Sequence, residues 1–304
     1  MNSKISVSQL AVVILTISSV GWGITWLPIK LINEMGLDSM HLILIAFSSA
    51  AVVALPWLIK QYGLWKSSIG FMLMILLAGG FANAAFQTAI AHGDVIRVMI
   101  LFYMLPVWSI IGGRIFLQEK IDTIRMIAVT LCLSGAAIIL DVWHTSWQGI
   151  SYIDLLAIGS GLGLAITNIL FRFTQSVPLM SKVAASFIGC TILTGSFMAL
   201  SGNTASLPQQ TTVIPLAMLY GAVWIVLITM GTQWAVTRME AGRSSIIIVM
   251  ELVVAVVSAA IISNAQLGIN EMIGGAMVIA AALLEGTRND DEVVPLVSDK
   301  TLAE

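Results

Sequence analysis

Gln87-Thr88-Ala89-Ile90-Ala91-His92-Gly93-Asp94-Val95-Ile96-Arg97 returns 146 residues later as Gln233-Trp234-Ala235-Val236-Thr237-Arg238-Met239-Glu240-Ala241-Gly242-Arg243. Both copies keep a glutamine, an acid seven residues on (Asp94, Glu240) and an arginine three residues after it (Arg97, Arg243). Each copy runs on into a charge-poor stretch, with Leu105-Pro106-Val107 opposite Glu251-Leu252-Val253. Further upstream, Gly21-Trp22-Gly23 and Lys30 face Gly163-Leu164-Ala165 and Arg172 at an offset of 142. The chain therefore reads as one unit written twice.

What each unit contains follows from composition. Of the 304 residues, 58% are hydrophobic and 10% charged. A soluble domain carries about 25% charged residues, so a water-exposed surface cannot be assembled from this set. Apolar runs of about 18 residues or more are long enough to cross hydrocarbon as helices, and only helices or closed barrels satisfy their backbone there. The runs are continuous rather than alternating, which selects helices. They fall at 10–32, 41–59, 69–91, 97–117, 123–140, 153–172, 182–201, 213–236, 244–263 and 270–286. The first is too long for a signal-peptide core of about 7–15 residues and is read as a span. Cys132 and Cys190 lie inside apolar runs, as buried thiols rather than a disulfide framework.

The expected fold is thus an all-α integral membrane protein of ten transmembrane helices, as two five-helix repeats around a central cavity. The first repeat covers 1–145, the second 146–286, and 287–304 is a polar tail expected to be disordered and cytoplasmic. An odd number of helices per repeat inserts the second copy upside down. Of 14 Lys and Arg residues, all but Lys30 and Arg97 fall on the side of the N-terminus. By the positive-inside rule both termini are expected in the cytoplasm of a bacterial inner membrane.

Several in-span residues are candidates for chemistry. Glu251 lies near mid-membrane, where an ionised carboxylate is costly; it reads as a proton carrier, as a counter-charge for a substrate amine, or as a hydrogen-bonded tie between helices. Trp22 and Trp26 share one helix face and, with Tyr103 and Trp108, offer either a stacking wall or lipid contact. Asn83, Gln87, Asn168 and Gln233 need partners in hydrocarbon, from a substrate or from a neighbouring helix. Lys30, Arg97, Arg172 and Arg243 stand at helix ends with Asp94 and Glu240 near them. They read as gate charges or as snorkelling side chains. Pro28 and Pro106 are expected to kink the first and fourth helices. His41, His92 and His144 do not have the spacing of a metal site, and no metal, cofactor or nucleic-acid partner is expected.

At these residues the chain resembles the EamA branch of the drug/metabolite transporter superfamily. The shared features are Trp22-Gly23 with Lys30, the stretch Leu105-Pro106-Val107-Trp108, Glu119 of a Gly-Glu pair that here reads Gln118-Glu119, and Glu251. Leu252 stands where the family's second copy has a proline, implying a straighter ninth helix, and Asn264-Ala265 replaces the second Gly-Glu. The resemblance implies a small-molecule substrate held in a central cavity, with many such proteins exporting. The aromatic and amide lining with one buried acid points to an amino-acid-like compound or an amine. An intramembrane enzyme or a membrane scaffold is the alternative; no nucleophile–base pair, P-loop or partner-binding domain stands out in the sequence.

Overall fold

Two helical stretches end four residues before a proline, at the residue whose carbonyl the ring meets. In the computed structural model the first helix pauses at Thr25, after Ile24, ahead of Pro28. The fourth pauses at Tyr103 and Met104, after Phe102, ahead of Pro106. A third break has no proline: at Val249 the ninth helix is interrupted for a single residue, and Leu252 N–H donates to the Val249 carbonyl at 3.0 Å. The ninth helix thus carries a one-residue interruption with leucine, not proline, at 252.

The structure describes residues 6–145, 149–201, 212–264 and 266–288. Ala265 and nearly all of the tail from residue 287 lie outside the described residues, so the expectations placed on them do too. Among the described residues there is helix and no strand. Among the described residues, nine segments are long and apolar enough to cross a membrane. They are α1 (Val7–Glu34), α2 (Ser39–Lys60), α3 (Tyr62–Ile90), α4 (Val95–Phe116), α6 (Tyr152–Phe173), α7 (Leu179–Leu200), α8 (Val213–Val236), α9 (Ala241–Ser263) and α10 (Ile269–Gly286). The apolar helix α5 (Thr123–Ile139) is shorter, at 17 residues.

Capping starts these helices where the sequence changes from polar to apolar. Ser6 accepts from Gln9 N–H, Asp38 from Met40, Asp94 from Arg97, Asp122 from Arg125 and Ser151 from Asp154, at 2.8–3.2 Å. Each bond satisfies one of the free amides of a first turn. At α9 the cap position is Glu240, whose side chain makes no capping bond. There the carboxylate of Glu119, from another part of the chain, accepts from Ala241 N–H at 2.8 Å.

In the packing, α3 lies on α6 and α7, α2 on α7 and α8, α1 on α8 and α9, α4 on α6 and α9, and α5 on α10. Without a hydrophobic drive between helices in lipid, small residues let backbones approach. The tightest such place is α3 on α7: a Cβ on Gly189 would fall on the Leu76 carbonyl oxygen and 3.2 Å from Gly80 Cα. Gly189→Val is expected to force these helices apart, at a cost of about 1–3 kcal/mol. It should lower the thermal unfolding midpoint of the purified protein by several degrees; an unchanged midpoint would contradict the close approach.

Candidate functional site

Side chains beside the helix breaks line a central space. Below the pause at Thr25, Trp22 is held by its indole N–H to Thr232 Oγ1 of α8 at 3.1 Å. One turn on, the Trp26 indole N–H reaches Ser258 Oγ of α9 at 3.0 Å. Thr25 itself accepts from the Trp224 indole at 3.1 Å, next to a stretch of π-helix over Tyr220–Ile225. Across the centre, Tyr103, in the pause of α4, donates its hydroxyl to Glu251 Oε1 at 3.2 Å, just past the pause of α9.

These groups surround a cavity of about 910 Å³. Its walls carry Trp22, Trp26, Phe86, Phe102, Tyr103, Phe171 and Phe187, with Thr25, Asn83, Gln87, Thr167, Ser186, Thr229, Thr232, Gln233 and Glu251 as the polar groups away from the mouth. Drug-sized ligands occupy pockets of about 300–1,000 Å³ with mostly apolar walls and a few placed polar groups, and this cavity is of that kind. At the mouth stand Lys30, Asn33, Glu34 and Ser39, with Lys30 and Glu34 exposed and 3.8 Å apart.

The opposite end is closed by charge. Glu119 is buried between α4 and α5, 3.2 Å from Arg172 and 3.8 Å from Arg125, and caps α9. Gly113 makes room for it, since a Cβ there would lie 2.6 Å from Glu119 Oε2. Arg125, 1% exposed, also pairs with Glu240 and lies 3.5 Å from Glu285. Arg288 extends the network to Glu285 at 3.2 Å and to Asp122 at 2.5 Å. Burial pushes the Glu119 carboxyl above the usual carboxylate range, against the pull of Arg172 and of the Ala241 amide. The ion pairs thus offset only part of the cost of desolvation, as is common for buried pairs.

Of the sequence candidates, Trp22, Trp26, Asn83, Gln87, Tyr103, Gln233 and Glu251 line the cavity, and Lys30 stands at its mouth. Asn168 is 1% exposed and bonded to Gln233, while Trp108 packs in an apolar cluster with Leu105, Ala165 and Ile247. Arg97 pairs with Asp154 at 2.6 Å, while Asp94 caps α4. Arg172 and Glu240 join the closed end; Arg243 donates to Ser8 Oγ and to the Gly286 carbonyl beside it. Arg125, Glu285 and Arg288 escaped the sequence reading. The signal available was a lone arginine three residues into an apolar helix, with an acid at the end of the last one.

The profile of the EamA-like transporter family matches residues 9–141. Two relatives are both named as riboflavin transporters. The one from Brucella anthropi is 25% identical over 178 residues, 57% of this chain and 63% of the relative. The one from Vibrio cholerae serotype O1 is 25% identical over 215 residues, 67% of each chain. The chain thus spans less than two thirds of the length of the Brucella protein. A solved structure, described only as the crystal structure of a protein, superposes with a TM-score of 0.73 at 12% identity, over 90% of this chain and 96% of that one. That likeness concerns the fold alone.

Proposed function

We propose that this chain moves a small molecule across a membrane by alternating access, its ten helices forming two inverted five-helix repeats over 1–145 and 146–286. The observation that carries the reading is the cavity: it lies against the helix pauses, has a mouth at Lys30 and Glu34, and has a buried ion network beyond its other end. A site accessible from one side only is half of an alternating-access cycle.

Two features support the inverted repeat. The pauses at Tyr103-Met104 and at Val249 stand at matching places under the offset of 146, and paired discontinuous helices mark binding sites in such transporters. The packing is also self-consistent: exchanging α1 to α5 with α6 to α10 turns α3–α6 into α8–α1, α3–α7 into α8–α2 and α4–α6 into α9–α1, all of which occur. With both termini placed in the cytoplasm of a bacterial inner membrane by the Lys and Arg bias, the mouth faces outward. Export as the direction rests on the family resemblance alone.

For substrate we favour riboflavin or a similar planar ring system. The cavity volume and the indole and phenyl walls suit one, and both relatives bear that name. An amine or amino-acid-like substrate is the second reading, favoured by Glu251 at cavity depth. A ligand at about 100 times its Kd stabilises the folded state by about 2.7 kcal/mol. Thermal unfolding of the purified protein should therefore rise with riboflavin and stay level with aliphatic amino acids. A rise with amines only would install the second reading; no rise with any of them would count against both and favour an enzyme or scaffold.

A further inference from the structure

Gln233 and Asn168 make an incomplete pair at the inner limit of the cavity. Gln233 Nε2 donates to Asn168 Oδ1 at 3.2 Å. The reciprocal bond that would close the two carboxamides into a ring is not made. Gln233 Oε1 and Asn168 Nδ2 are both buried and have no hydrogen-bond partner in the structure. The residues are 6% and 1% exposed. A buried donor and a buried acceptor left unmet are costly, and native proteins keep few of them. Whichever way the two amides are turned, one bond between them leaves one donor and one acceptor over.

The surroundings give that pair an occupant. Gln233 lines the cavity. Asn168 lies on the helix face of Leu164 and Phe171, four residues after one and three before the other, and both of those line it. Thr232, next to Gln233, holds the Trp22 indole, so an aromatic wall and the amide pair are fixed side by side. A carboxylate brings acceptors only and an ammonium brings donors only; neither satisfies both free atoms. A neutral group with N–H beside C=O does.

Resting on the transport reading above, we propose that Gln233 and Asn168 form a subsite that reads the N–H/C=O edge of an imide or cis-amide on the transported ring. The flavin ring ends in such an imide, and its N3 methylation removes the donor while leaving the carbonyls. The test is binding of riboflavin and of N3-methylriboflavin to the full purified chain, followed by quenching of flavin fluorescence. Wild type is expected to bind the methylated ring roughly tenfold or more weakly, since a site built to pair a polar group rejects the analogue without it. In Gln233→Ala and in Asn168→Ala the two ligands should bind alike. Equal affinity in wild type, or discrimination kept in both variants, would overturn the subsite and leave flavin transport standing. Binding of neither flavin would overturn both. The wild-type comparison needs no variant to fold.

Discussion

Replacing Arg125 with methionine is expected to destabilise the folded protein by about 3–5 kcal/mol, the range for breaking a buried ion pair from one side. The side chain is 1% exposed and meets three carboxylates from three parts of the chain: Glu119, Glu240 and Glu285. It also donates to the Lys120 carbonyl at 3.1 Å. Methionine fills much of the same volume, so the loss comes from the stranded acids rather than from a void. Glu285 is fully buried and keeps Arg288 at 3.2 Å; Glu119 keeps Arg172 at 3.2 Å. Those remaining pairs set the lower end of the range. Unfolding of the purified protein in a denaturing-detergent titration measures the change, and a loss under about 1 kcal/mol would show that the closed end does not depend on this residue.

The second large effect is expected at Glu251. Glu251→Gln should lower the transport rate about tenfold or more while leaving the folded state intact. Glutamine keeps an acceptor for the Tyr103 hydroxyl, now 3.2 Å from the carboxylate, so the tie between the two helix pauses survives. What is lost is the ability to carry charge or a proton at cavity depth, the usual reason for an acid inside a membrane. Glu34, the other acid lining the cavity, stands at the mouth beside Lys30 and cannot replace it. Transport across a pH series, with unfolding as the control, separates the roles. Unchanged rate and unchanged pH dependence would leave Glu251 as a structural tie.

How much of this was legible depends on whether the cause is local. Apolar runs are local, and the read spans match the observed helices to within a few residues at most ends; 41–59 is observed as Ser39–Lys60 and 153–172 as Tyr152–Phe173. Pro28 and Pro106 announced their breaks because the clash is with the preceding turn of the same helix. The break at Val249 has no such marker and was invisible. The charges show the same limit. Arg172 and Glu240 were legible as helix-end residues, but their partners Glu119 and Arg125 meet them only in three dimensions. A lone arginine in an apolar helix could not reveal three acids around it. For the in-span aromatics and amides, residue type gave the need for a partner and not the direction. Trp26 faces the cavity and Trp108 packs in an apolar cluster, and nothing in either residue's neighbours along the chain distinguishes the two.

Counterflow tests the central claim most directly. Proteoliposomes holding the purified chain and loaded with unlabelled riboflavin are placed in a trace of labelled riboflavin, with empty liposomes as the control. A carrier whose cavity opens to each side in turn exchanges label inward and shows a transient accumulation above the control, weakened in Glu251→Gln. Label that never exceeds the empty-liposome level, for riboflavin and likewise for a panel of amino acids and amines, would contradict a transport function for this chain.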